Sequence, residues 1–176
     1  MAPCGGPVHL RPAEERDATP MAALQVRATR RALDGLVPAA ILANVSEAER
    51  ERAWRREIAV LPTGLRPTVA EVDGHVVGFM GALPSADATI AEGDAEVTVF
   101  VDPDCWQQGI GRMLVAHEVR ILRHHGRQAI ATWVLVDDHR ARDFAEAMGW
   151  HPDGARRDRR LGATTVHELR CRAALV

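Results

Sequence analysis

The chain has 176 residues, 47% of them hydrophobic and 26% charged, with a net charge of −2. That balance suits one folded domain and speaks against nucleic acid as the main partner, and no apolar run is long enough to cross a membrane. All 22 basic side chains other than histidine are arginine, and tyrosine does not occur.

Val8-His9-Leu10-Arg11 alternates and predicts a short first strand. Pro12 to Asp17 then starts a helix with Met21, Leu24 and Ala28 on one face. Gly35 to Asn44 reads as a connecting arm. Ser46 and Glu49 form a capping box, and the helix it opens carries Trp54 and Ile58 one turn apart. Thr68 to Val72 and His75 to Leu83 predict two strands joined by Asp73-Gly74, a hairpin signal. Gly78 and Gly81 imply a bulge or a close backbone approach in the second of these. Pro84 to Gly93 is a polar loop, and Glu96 to Val101 is the next strand. A helix follows from Gly109 to about His124, with Ile110, Met113, Leu114 and Ile121 on one face. Gln128 to Val136 reads as a buried strand, Asp138 caps the helix after it, and Gly149 suits that helix's end. Arg156 to Arg160 reads as a solvated loop with a lesser claim to an anion contact, and Thr164 to Arg170 as a terminal strand. Without repeats or a linker, this is a single mixed α/β domain over residues 1–176, not a doubly wound parallel one.

The junction of strand and helix at Val101 to Leu114 carries the most information. A strand, a turn ending in Gly109 and Gly111, and a helix start together make an anion site. The first N–H groups of a helix have no internal partner, and the helix dipole adds partial positive charge there. Glycine lets the backbone approach a phosphate closely, and Arg112 brings a full charge. A dinucleotide fingerprint would need a third glycine where Leu114 stands. A nucleoside-triphosphate loop would need a lysine, and the chain has none.

The spacing instead resembles the coenzyme A loop of the GNAT superfamily of N-acetyltransferases, Val-x-Pro followed by Gln/Arg-x-x-Gly-x-Gly/Ala. Val101, Pro103, Gly109, Ile110 and Gly111 match, whereas Trp106 stands at the Gln/Arg position. A second family pattern, Asn-x-x-Ala-x-x-Phe-Tyr-x-x-x-Gly-Phe, meets Ala141, Phe144 and Gly149, with Asp138 at the Asn place and Trp150 for the last Phe. Ala145 occupies the place where many members carry a tyrosine that protonates the departing thiolate. A thiol with a pKa of about 8.5 can take its proton from water, so this loss need not stop turnover.

The resemblance covers essentially the whole chain. It implies a mostly antiparallel sheet flanked by helices, with acetyl-CoA as co-substrate and no metal. Val99, Phe100, Val101, Gln107, Gln108, Gly109, Ile110, Gly111, Arg112, Asp138 and Arg142 are the expected coenzyme contacts. The backbone of Val99 to Val101 would pair with the pantetheine arm and polarise the thioester carbonyl. The expected reaction is direct transfer of acetyl to an amine of a small molecule in a ternary complex. Acetylation of a protein N-terminus or lysine, and a non-catalytic acyl-CoA-binding module, are the alternatives. The resemblance also allows a homodimer; neither nucleic acid nor a membrane is an expected partner.

An alkyl amine with a pKa of about 10.4 is almost wholly protonated at neutral pH, a handicap of roughly 4–5 kcal/mol. A carboxylate can remove that proton, and Glu96 is the candidate. Strand alternation puts Glu96, Thr98 and Phe100 on one face and the valines at 97, 99 and 101 on the other. Many family members carry a glutamate at this place. Glu92 and Asp94 would favour a cationic acceptor. No His/Cys set has metal-ligand spacing. Cys4, Cys105 and Cys171 make no full disulfide framework, and the start Met-Ala-Pro-Cys-Gly-Gly lacks a signal-peptide pattern, so a reducing cytoplasm is the simplest expectation.

Overall fold

A computed structural model describes residues 4–83 and 87–175, so the first three residues and the start of the expected Pro84–Gly93 loop lie outside the description. In chain order the elements are β1 (His9–Pro12), α1 (Ala18–Ala32), α2 (Ala39–Ala43), α3 (Glu47–Val60), β2 (Thr68–Val72) and β3 (His75–Leu83). Then come β4 (Asp94–Val101), α4 (Ile110–His124), β5 (Ala129–Leu135), α5 (His139–Ala147), β6 (His151–Leu161) and β7 (Thr164–Ala174). The strands form one seven-stranded sheet in the order β1-β2-β3-β4-β5-β7-β6. Among the described residues only β4 and β5 pair in parallel. This is the mixed, mostly antiparallel sheet expected.

Local chemistry explains most of the elements. Asp73 and Gly74 both take positive φ, 48° and 77°, the mirror-image turn that matches strand twist in a two-residue hairpin. Ser46 Oγ accepts from the Glu49 N–H and opens α3. Glu14 and Asp17 form a capping box around a 3-10 turn at Glu15–Asp17, so α1 starts only at Ala18. Its Met21, Leu24 and Ala28 are buried as expected. With α3 it covers one face of the sheet, where Trp54 packs edge-on against Phe79 at 5.1 Å.

The other face is covered by α4 and α5, whose apolar residues join Val97, Ile130 and Val134 in the larger core. A Cβ on Gly78 would stand 3.2 Å from both Ile110 and Leu114, so glycine lets α4 lie close to β3. The hairpin's bulge lies in this same strand: Ala70 pairs with Gly78 and Glu71 with Val76, which leaves Val77 as the extra residue of β3.

Four expectations need correction. The buried face of α4 is Ile110, Leu114, Val115, Glu118 and Leu122; Met113 is 40% exposed and Ile121 only partly buried. An acid inside an apolar stripe hides that register. Arg156 to Arg160 is not a loop but part of β6, an exposed edge strand without apolar alternation, paired with β7. Gly35 to Asn44 contains the short helix α2. Cys4 and Cys105 form a disulfide across 101 residues of sequence, leaving Cys171 free and buried. That pairing removes the argument from cysteine usage to a reducing compartment. Among the described residues no helix is long and apolar enough to cross a membrane.

Candidate functional site

The centre of the molecule is an opening between β4 and β5. These strands pair only over Asp94–Glu96 and Ala129–Ala131. Beyond that, β4 continues against β3 and β5 continues against β7, and the two part. The Asp102 N–H donates to Val77 O, and antiparallel alternation then turns the amides of Phe100 and Thr98 to β3. Those of Val99 and Val101 point into the gap. One acceptor there is already used, because Trp106 Nε1 donates to Val101 O at 2.8 Å.

The loop after β4 is held firmly at its start. Asp102, buried, caps the turn through its bond from the Asp104 N–H and pairs with Arg27 of α1. Cys105 is tied to Cys4. The chain then enters the left-handed region at Gln107 (φ 64°) and again at Gly109 (φ 82°). Left-handed residues turn neighbouring N–H groups toward one side and form an anion-binding concavity. No side chain caps α4, and no acid sits in its first turn. Its first amides are therefore available to an anion from outside. The two glycines serve different ends. Gly109 is needed for its φ, since a Cβ there would meet nothing within 4 Å; Gly111 is needed for space, since a Cβ would meet Phe144 at 3.0 Å.

A cavity of 430 Å³ opens over this loop, walled by Gly109, Gly111, Arg112, Trp106, Arg140 and Phe144 among others. Arg140 of α5 lies over the Trp106 ring, 3.2 Å from its centroid, and closes one side. A second cavity, of 300 Å³, fills the gap between the strands and is walled by Val99 to Val101, Thr132 to Leu135 and α1. It shares Trp106, Arg140 and Phe144 with the first. A third, of 570 Å³, includes Glu96, Trp133 and Arg156 in its wall, and Trp133 joins it to the gap.

A sequence profile of the acetyltransferase (GNAT) family matches residues 35–150, more than half of the chain. The chain belongs to that family. The chain is also 32% identical over 84 residues to an uncharacterised N-acetyltransferase of Methanocaldococcus jannaschii. That match spans 47% of this chain and only 37% of the relative's length. Among solved structures, the PaiA N-acetyltransferase of Thermoplasma acidophilum in complex with coenzyme A superposes with a TM-score of 0.75, at 14% identity, over 93% of this chain and 98% of that one. The ribosomal-protein-alanine N-acetyltransferase of Brucella melitensis gives 0.75 at 18% identity, over 94% and 99%. An N-acetyltransferase of Staphylococcus aureus gives 0.72 at 14%, over 97% and 100%. At these identities the structures speak for the GNAT fold alone.

Within this GNAT chain most of the expected contact residues come together. Val99, Val101, Gln107, Gly109, Ile110, Gly111 and Arg112 line the loop cavity, and Phe100 and Asp138 line the gap. Asp138 also caps α5 by accepting from the Ala141 N–H. Gln108 is exposed and lines neither cavity. Arg142 is exposed too and donates to Val136 O. Sequence reading misses Trp106 and Arg140 as a pair: one departs from the family pattern, the other directly precedes the matching Ala141. Ala145, at the tyrosine place, is buried in the wall of the gap. Among the described residues no group of three or more His, Cys, Asp or Glu is arranged to hold a metal.

Proposed function

We propose that this chain transfers the acetyl group of acetyl-CoA directly to an amine of a small molecule. The observation that carries this reading is the uncapped, doubly left-handed loop at Gln107 to Arg112, set beside a gap that leads through the sheet. The amides of that loop fit a diphosphate. The inward amides of Val99 and Val101 fit the pantetheine arm, whose own amides can complete an extra strand. The acyl end then reaches Trp133 and the face carrying Glu96. At 570 Å³ the cavity there lies within the size range of small-molecule sites, about 300–1,000 Å³.

The chemistry is one displacement. The neutral amine nitrogen attacks the thioester carbonyl carbon, a C–N bond forms, and the C–S bond breaks. The amine proton passes to the Glu96 carboxylate, directly or through one water. The Val99 N–H is the donor best placed to polarise the carbonyl; such preorganised donors are worth about 3 kcal/mol. The leaving thiolate takes its proton from water, because Ala145 has none to give.

The test is thiol release from acetyl-CoA with a panel of small amines, alongside calorimetric binding of coenzyme A. Amine-dependent thiol release is expected. Binding without it would make the chain an acyl-CoA-binding module, and absence of binding would refute the reading outright.

A further inference from the structure

We infer that Trp133 is the specificity-determining residue of this site: its indole narrows the way from the acceptor cavity to the thioester, so that the acceptor is a primary amine on an unbranched carbon. The inference rests on the acetyltransferase reading above. Strand register places the ring. β4 and β5 pair last at Glu96 and Ala131, whose side chains share one face of the sheet. The next residue of β5 on that face is Trp133, the first there to stand where the strands have parted. Arg170, Glu168 and Arg157 lie on the same face, carried across by the pairing of β5 with β7 and of β7 with β6. The indole thus stands between the 300 Å³ gap and the 570 Å³ cavity that includes Glu96. Among the described residues it is the one member common to both walls.

Three groups pin that ring. Its Nε1 donates to Asp87 at 3.0 Å. Asp87 is held in turn, because its other carboxylate oxygen accepts from the Thr89 N–H at 2.9 Å and from the Thr89 hydroxyl at 2.7 Å. The Arg157 guanidinium lies over the ring at 4.3 Å, fixed by donating to buried Glu168 at 2.6 Å. Arg170 flanks the ring at 5.8 Å and is tied to Asp153 and to Thr89 O, each at 2.7 Å. Swinging the indole aside would break the Asp87 bond and the cation–π contact together. Its face under Arg157 is taken, so the ring acts as a wall and not as a stacking platform on that side. An amine coming from the Glu96 cavity must bring its nitrogen past the edge of this fixed ring to meet a thioester in the gap. A CH₂–NH₂ end is slim there. A second carbon on the atom bearing nitrogen adds a methyl-sized group where the indole stands, and a filled site rejects such a group by about tenfold or more.

The experiment takes the primary amines that the panel above turns over and compares each with its isomer branched at the carbon next to nitrogen, such as butylamine with sec-butylamine, which are nearly equal in basicity. Uncatalysed acetylation of the same pair by acetyl-CoA gives the intrinsic preference. The enzyme should exceed that preference by about tenfold or more in kcat/KM. Trp133→Ala should erase most of this excess. It should also raise amine-independent thiol release, in which water attacks the carbonyl carbon and the C–S bond breaks to give acetate, a proton and the free thiol. Asp87→Ala frees the indole without shortening it and should lower the excess part-way, so the inference stays readable even where Trp133→Ala does not fold. Coenzyme A binding shows that each variant is folded. A ring that only supports the sheet would slow both isomers alike and leave their ratio unchanged. A wild-type ratio equal to the intrinsic one, a ratio unmoved by both variants, or acceptors confined to amines on branched carbons, α-amino acids among them, would overturn the inference and leave an active acetyltransferase standing. Coenzyme binding with no amine turned over would instead strike the acetyltransferase reading, and the inference with it.

Discussion

Glu118 sits in the middle of α4, 2% exposed, among the apolar residues that pack the helix on the sheet. Thr68 Oγ1 donates to it at 2.8 Å. Burial pushes its carboxyl from 4.5 up to about 7, against the smaller opposing effect of the Thr68 bond. The folded chain therefore keeps a proton that the unfolded chain releases near pH 4.5. Stability is fully supported below that pH, falls as pH rises toward 7, and levels off above it. Each pKa unit is worth 1.36 kcal/mol, so the fall attributable to this one group is about 3 kcal/mol. Glu118→Gln keeps the size of the side chain and an oxygen for Thr68 but cannot ionise. Its added amide donors impose an offset that does not depend on pH. The gap between variant and wild type should thus move by about 3 kcal/mol in the variant's favour between pH 4.5 and 7.5, roughly 6–12 °C in Tm for a chain of this size. Urea unfolding at half-unit pH steps measures it. Parallel curves for the two proteins would refute the reasoning.

Three further outcomes bear on the site. Gly109→Asn should fold and bind coenzyme A with modest loss, since a side chain meets open space there and Asn tolerates positive φ, whereas Gly109→Asp should bind at least tenfold more weakly, because a carboxylate then faces the diphosphate; calorimetry with both variants separates backbone strain from charge, and equal affinities would count against the anion loop. Glu96→Gln should lower kcat by about 10²–10⁴ while leaving coenzyme affinity intact, as loss of a general base does; an unchanged kcat clears Glu96 of that role. Arg140→Ala should weaken coenzyme A binding about tenfold with a steeper loss at low salt, because it removes both a cation and the cover over Trp106; an affinity equal to wild type would show that the stack is only structural.

The parts of the molecule legible in its sequence are those fixed by local chemistry. Asp73-Gly74 marks a hairpin, Ser46 a helix start, and Gly109 with Gly111 a turn into a helix, whatever surrounds them. The alternation at Glu96 to Val101 also carries through, with Phe100 packed on the α1 side and Val97 and Val99 on the α4 side. What stays hidden depends on contacts distant in sequence. β6 has no apolar face to announce it; β7 and the ion pairs on Glu168 make it a strand. Glu118 interrupts an apolar stripe, so the sequence pattern points to Met113 and Ile121 instead. The Cys4–Cys105 bond joins residues that only the folded chain brings together. The Trp106–Arg140 stack joins two motifs legible only one at a time. The gap itself follows from β4 and β5 choosing different neighbours after three paired residues, a property of the whole sheet.

The central claim is that the amides between Gln107 and Arg112 hold the diphosphate of coenzyme A beside the parted strands. A crystal of the protein grown with coenzyme A tests it most directly. The account predicts diphosphate oxygens within hydrogen-bond distance of the Gly109, Gly111 and Arg112 N–H groups, with the pantetheine arm lying along Val99 to Val101. A diphosphate bound anywhere else on the chain would contradict it.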